Sequence, residues 1–257
     1  MARKLIAFPY YGGKYSKLKW LLPLLPDAKH YCEPFCGSAA VVLNRSKSDI
    51  ETINDLNGDI VNFFSVLRDT PDELVSKLKL TPYARGEFAN AINSTNLDSV
   101  DRARCFFTMV RQSINNKPNP NISDWSFRRI TNNTSKWVNA IDNLHAVADR
   151  LKTIQIECDD AIKVIQRYDT PETLFYVDPP YVHSTRTSSK DYAIELEDSY
   201  HVELATVLNN VKGKVALSGY NSGLYNDLYA NWYKVERDVK AGVGSKRTEV
   251  LYRNFAD

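Results

Sequence analysis

The sequence predicts an α/β protein. It reads as a mainly parallel sheet of about seven strands with helices on its faces, an antiparallel edge hairpin and an inserted, mostly helical subdomain. Three observations predict it. Short β-rich runs alternate with stretches of helical periodicity, the pattern of strand–helix–strand crossovers. The last two β-rich runs are joined by "VKAGVGSK" with no helix between them. The alternation also breaks between about Leu67 and Arg150, where helical stretches surround an Asn- and Pro-rich tract.

In chain order the β-rich runs are His30–Phe35, Ile50–Asn54, Thr153–Cys158, Leu174–Asp178, Lys214–Ser218, Trp232–Asp238 and Thr248–Arg253. The first is followed by "SAAVVLNRS", expected to be helical. The second is followed by "DIVNFFSVLRD" and "DELVSKLKL", and the third by "DAIKVIQRY". "HVELATVLNNVKG" precedes the fifth run, with Gly213 expected to stop the helix. The interrupted section holds "SVDRARCFFTMVRQSI" and then "NNKPNPNISDWSFRRITNNTSKW", a long polar loop of the kind that usually has a use. The expected division is a principal domain over 1–66 and 151–257, with the insert at 67–150.

Composition excludes several classes. There are 257 residues, 43% of them hydrophobic, with a net charge of +2 and no run of about 18 apolar residues that would span a membrane. The N-terminal apolar stretch is too short for a signal peptide, so a cytoplasmic protein is expected. Cys32 and Cys36 have no second close pair downstream, which argues against zinc and for reduced, structural thiols. Charge is unevenly placed. Between Arg102 and Lys152 nine basic residues face three acids, Asp124, Asp142 and Asp149. That excess of six suits either phosphate contacts or a solvated helical surface.

Candidate chemistry gathers where strands end, because ligands of open α/β sheets bind beyond the carboxyl ends of the strands. The first run ends in "EPFCGS", with Glu33 as an acceptor and Gly37 permitting close backbone approach. The second ends at Asp55 in "NDLNGD", about 20 residues beyond the glycine loop, a spacing suited to gripping ribose hydroxyls. The third ends in "ECDDA", offering Asp159 and Asp160, and the fourth in "DPPY", Asp178 to Tyr181. Neither GxGxxG nor GxxxxGK[ST] occurs. A ring of carboxylates would repel a polyphosphate and suit a cationic nucleoside, and S-adenosylmethionine fits that description.

With "PYYGGK" (Pro9–Lys14), "EPFCGSAAVVLN" (Glu33–Asn44), "INDLNGDIVNFF" (Ile53–Phe64) and "VDPPY" (Val177–Tyr181), the chain resembles the Dam-type, or D12 class, DNA adenine N6-methyltransferases. The motif order is that of the alpha group, with the target-recognition insert between the glycine loop and DPPY. The resemblance covers all but most of Leu67–Arg150. It implies a Rossmann-like S-adenosylmethionine-dependent methyltransferase fold, S-adenosylhomocysteine as product and no metal. It also implies base flipping and a place beside restriction-modification enzymes. Tyr10, Gly13 and Lys14 would contact the cofactor. Glu33, Phe35 and Gly37 would flank its methionine and adenosine parts, and Asp55 its ribose. Asp160, with Asp159 as rival, would meet its adenine, and Asp178 would sit between cofactor and target base.

In this reading Asp178 and the Pro179 carbonyl accept the two N6–H bonds of an adenine stacked on Tyr181. Pro179 and Pro180 hold the three in fixed relation. His201 is expected to be structural or to face DNA, since methyl transfer needs no base. Tyr220 is a candidate for the target pocket. Arg111, Asn115, Arg128 and Arg129 of the insert and Lys246 and Arg247 of the hairpin are the expected contacts to double-stranded DNA. A monomer is expected, with a transient dimer on DNA as the other state. The alternatives are methylation of cytosine N4 or of RNA adenine N6, and a module that binds DNA without catalysis.

Overall fold

The computed structural model describes residues 4–114, 124–127, 132–182, 196–241 and 245–256, without the side chains of 239–247. Seven strands form one sheet. They are β1 (His30–Glu33), β2 (Ile50–Asn54), β3 (Ile154–Glu157), β4 (Thr173–Val177), β5 (Lys214–Tyr220), β6 (Tyr233–Ala241) and β7 (Ser245–Arg253). Their spatial order is β3-β2-β1-β4-β5-β7-β6. Strands β1 to β5 pair in parallel. Strand β7 runs antiparallel to both β5 and β6, so the hairpin closes one edge.

The sheet is buried on both faces, as parallel sheets are. All five residues of β4, TLFYV, are buried. Alternate residues serve opposite cores, as a period of two requires. Tyr31, Leu174, Tyr176, Ala216 and Leu251 face one core. Cys32, Phe175, Val177, Val215, Leu217, Val250 and Tyr252 face the other.

On the first face lie α1 (Leu18–Leu21), α2 (Gly58–Asp69), α3 (Pro71–Lys79), α4 (Arg85–Asn93), α5 (Ser99–Gln112), α6 (Asn133–Asp142) and α7 (Leu144–Leu151). On the second lie α8 (Ala161–Tyr168), α9 (Asp198–Leu208) and α10 (Gly223–Leu228). Among the described residues, the section between β2 and β3 carries helices and one isolated bridge, Ser113 with Trp125. It shares one core with the sheet, since the Phe106 ring lies 5.2 Å from that of Phe8 and 5.9 Å from that of Phe63. The division drawn at 66/67 falls inside α2. None of the described helices is long and apolar enough to cross a membrane.

Two local expectations are corrected. "SAAVVLNRS" folds as a series of turns. The Val42 amide, which a helix would direct to the carbonyl four residues back, donates instead to Glu33 Oε1 at 2.6 Å, and Ala39 adopts φ +53°. Helix α9 ends at Leu208, before Gly213. That glycine serves a close approach, because a Cβ there would lie 2.8 Å from the Thr173 carbonyl oxygen.

The basic section also resolves in part. Arg102 pairs with Asp59, Arg104 with Asp101 and Lys152 with Asp149. Arg150 makes a buried two-pronged pair with Glu51 at 2.5 and 2.6 Å. These four cations serve the fold, which leaves a smaller set for phosphates.

Strand β1 has β2 on one side and β4 on the other, so the crossovers leave it in opposite directions. This is the switch point where a doubly wound sheet opens a crevice.

Candidate active site

The crevice at the carboxyl ends of β1, β2 and β4 is a cavity of about 960 Å³. Its walls are three loops tied together by one side chain. Asn54, buried at the end of β2, donates from Nδ2 to the carbonyls of Pro34 and Asp159 at 2.9 and 3.0 Å. Its Oδ1 accepts the Asp159 amide and its carbonyl accepts that of Cys36. The loops after β1, β2 and β3 are therefore fixed relative to one another.

The "PYYGGK" segment folds over this frame as a turn. Gly13 N–H donates to the Tyr10 carbonyl at 2.9 Å, and Gly12 takes φ +75°, which favours glycine. The turn sets the Tyr10 ring against Gly37, itself at φ +48°, where a Cβ would stand 3.1 Å from the ring. Glycine at 37 thus answers both a backbone and a space requirement.

Two carboxylates on this side are held by neutral donors. Asp55 Oδ2 accepts the Gly37 amide and Oδ1 the Asn57 amide, each at 2.9 Å. Burial nevertheless pushes its pKa up to about 6. Glu33 Oε1 accepts both the Tyr31 hydroxyl, at 2.8 Å, and the Val42 amide. Burial pushes Glu33 up to about 8, against the pull of those two bonds. Both side chains line the cavity, together with Tyr10, Gly13, Lys14, Phe35 and Gly37.

The DPPY turn closes the other side. Asp178 and Pro180 line the cavity. The Lys14 ammonium is 2.5 and 2.6 Å from the two Asp178 oxygens. Burial raises the Asp178 pKa and the two lysines nearby, Lys14 foremost, oppose that rise. Tyr181 is buried behind Lys14, whose ammonium lies over its ring. Its ring meets that of Tyr220 edge-on at 4.6 Å, and its hydroxyl donates to Glu249 Oε1 at 3.3 Å.

Other expected residues sit elsewhere. Asp160 caps α8, accepting the Ile162 and Lys163 amides on Oδ1, while Oδ2 accepts the Tyr200 hydroxyl at 2.9 Å. Asp159 pairs with Arg167. Neither carboxylate is on the cavity wall, whereas Tyr200 and Ala161 are. Arg111 is turned inward, donating to the Ala7 carbonyl at 3.2 Å over the Phe107 ring, and burial lowers its pKa to about 10. Asn115, Arg128 and Arg129 lie outside the described residues, as do the side chains of Lys246 and Arg247. His201 is fully buried, its Nδ1 3.0 Å from the Tyr225 hydroxyl. All four cysteines are free, three buried and Cys158 exposed.

Sequence reasoning missed Asn54, Tyr11, Asn57, Tyr176 and Tyr200. Asn54 had a signal, since it immediately precedes Asp55 at a strand end. Tyr200 had none, because it comes from a helix more than 20 residues after the strand it serves.

The donor set fits S-adenosylmethionine. Carboxylates crowd the wall, and Lys14, the one buried cation among the described lining residues, is paired with Asp178.

Comparison with known proteins identifies the family. The family model for D12 class N6 adenine-specific DNA methyltransferases matches residues 10–241. Type II methyltransferase M1.LlaDCHI of Lactococcus lactis subsp. cremoris is 25% identical, over 96% of this chain and 94% of that one. Type II methyltransferase M.MjaIII of Methanocaldococcus jannaschii is 26% identical over 94% of each. The DNA N-6-adenine-methyltransferase of Escherichia phage P1 is 25% identical over 86% of this chain, which spans 30% of that longer protein. A putative methyltransferase of Escherichia coli, yhhF, is a distant structural neighbour, with a TM-score of 0.38 and 13% identity over 93% of this chain and 82% of that one. With the family's model matched from Tyr10 through both cavity walls and DPPY, this chain belongs to the D12 class of N6 adenine-specific DNA methyltransferases.

Proposed function

We propose that the chain is a site-specific enzyme that methylates N6 of an adenine swung out of double-stranded DNA, with S-adenosylmethionine as donor. The observation that supports this most is that Asp178 lines the same cavity as Glu33 and Asp55. One space can thus hold a cationic nucleoside and receive a base. Asp55 would take the ribose, and Glu33, Phe35 and Gly37, with Tyr10 and Gly13, the rest of the cofactor. Lys14 lies at the border between cofactor and base. Asp160 would act at the cofactor adenine through the Tyr200 hydroxyl. When bound, S-adenosylmethionine supplies an electrophilic methyl group on a positively charged sulfur and leaves as S-adenosylhomocysteine.

The chain's residues supply orientation and charge. Extracting a base from the duplex costs a few kcal/mol, and stacking on an aromatic ring such as Tyr181 returns about 1–3 kcal/mol. Adenine N6 is a poor nucleophile because its lone pair is delocalised into the ring. An ionised Asp178 accepts one N6–H and the Pro179 carbonyl the other, which favours a tetrahedral nitrogen and stabilises the positive charge that grows on it. As the new carbon–nitrogen bond forms, N6 acquires that charge, and one N6 proton then departs to solvent.

The section 67–150 is proposed to read the target sequence. Asn115, Arg128, Arg129, Lys246 and Arg247 are the proposed DNA contacts, and Arg111 would support them from within. The working unit is taken to be a cytoplasmic monomer.

Expression in cells that lack adenine methylation, followed by single-molecule sequencing of their DNA, tests the whole reading. N6-methyladenine confined to one short motif is the expected result. N4-methylcytosine or an unmodified genome would reject it.

A further inference from the structure

Beneath the DPPY turn Asp178 belongs to a group of four charges, two of which, Lys17 and Glu249, the reaction as described does not use. Lys14 and Lys17 come from the N-terminal turn, Asp178 from the end of β4 and Glu249 from β7. Glu249 is fully buried. Its Oε1 is 2.5 Å from the Lys17 ammonium, 3.3 Å from the Tyr181 hydroxyl and 4.0 Å from the Lys14 ammonium. Its Oε2 has no hydrogen-bond partner among the described residues. A buried carboxylate oxygen without a donor is costly unless something comes to it.

Lys14 meanwhile stands where it obstructs methyl transfer. It engages both Asp178 oxygens and lies over the Tyr181 ring at 5.1 Å from its centre. An ammonium there competes with the N6–H for Asp178, repels the positive charge growing on N6, and covers an aromatic face offered to the base.

We propose that Glu249 is a positioning residue for methyl transfer: it receives the Lys14 ammonium when the target adenine arrives, leaving the Asp178 carboxylate to accept the N6–H. This rests on the reading of Asp178 given under the proposed function. The exchange is between two acids and two lysines, so net charge is unchanged and no proton need enter or leave. Lys17 and the Tyr181 hydroxyl hold Oε1 and keep the carboxylate in place, so Oε2 is the free acceptor. One movement of Lys14 would release the carboxylate and uncover the ring together.

The test compares Glu249→Gln with Glu249→Asp, using radiolabelled methyl transfer to unmethylated genomic DNA alongside calorimetric binding of S-adenosylmethionine. Gln keeps the shape and loses the charge, while Asp keeps the charge and loses a methylene. If Glu249 acts by charge, E249Q lowers kcat by about 10–100-fold, the size expected for a lost charged partner. E249D then stays within about fivefold of wild type, and cofactor affinity and KM for DNA hold in both. A packing role predicts the opposite order. E249Q within twofold of wild type, or E249D no better than E249Q, overturns the proposal. Because E249Q leaves two lysines facing one acid, the double variant Glu249→Gln/Lys17→Met removes the buried pair together and guards against a folding failure. It should show the same loss in kcat, and wild-type turnover in it also overturns the proposal. An inactive wild-type protein would instead defeat the underlying reading, which separates the two failures.

Discussion

On the cofactor side of the cavity, Asp55 and Glu33 take their hydrogen bonds from backbone amides and a tyrosine. On the DPPY side, Asp178 and Glu249 take theirs chiefly from lysines. In the first arrangement burial raises both pKa values, and in the second it raises that of Asp178 too, but there lysines oppose the rise. The second is balanced within itself, and a ligand can enter only by exchanging partners. On the reading proposed above, one wall is ready for the cofactor while the wall opposite stays closed to the base until it arrives.

Substitutions should break this contrast to different degrees. The largest effect belongs to Asp178→Ala. It should lower methyl transfer by about 10³-fold, at the upper end for loss of one charge-stabilising group, with cofactor binding retained by calorimetry. The fold should survive, because the freed Lys14 has Glu249 within 4.0 Å. Near-normal turnover would remove Asp178 from the reaction.

Asp55→Ala should act on the other side alone. It should raise the S-adenosylmethionine dissociation constant by about 10–100-fold, equivalent to one or two charge-assisted hydrogen bonds, and spare kcat at saturating cofactor. A kcat defect of equal size would mean the two walls are coupled.

Glu33→Gln should give the smallest effect, and it is one of stability. The native pKa of about 8 lies above the ordinary 4.5, so the folded protein holds a proton that the unfolded chain releases. The stability this gives is complete below pH 4.5 and is lost as pH rises through 8. The Gln variant lacks that slope. Without cofactor it should melt close to wild type at pH 5 and be the more stable of the two at pH 8.5. Parallel melting curves across that range would mean that Glu33 is ionised in the fold.

Much of this was legible in the sequence. All seven strands could be read, because β-rich runs such as "TLFYV" in β4 are bounded by polar turns and buried on both faces. The cavity loops could be read because each follows a recognisable strand and carries its own acid. What escaped was settled by tertiary partners. The turns over Ser38–Ser46 have helical composition, but Glu33 captures the Val42 amide, and no local pattern reveals that. Asp160 could be picked out by type and position, but that its oxygens go to a helix cap and to Tyr200 could not. Lys17 and Glu249 carry no motif. They meet only because β7 is laid between β5 and β6.

That last placement has a consequence for how the enzyme comes into being. Lys17 and Glu249 are 232 residues apart in the chain, and Lys14 and Asp178 are separated by 164. At roughly 5–20 residues per second, a ribosome needs about 10–50 s between making Lys17 and making its partner. Throughout that interval the nascent chain carries its glycine loop, and later its DPPY turn, without the strand that completes the charge group beneath them. If that group serves catalysis as proposed, competence arrives late in synthesis, and a half-made chain on the ribosome would have no working target pocket with which to mark the DNA around it.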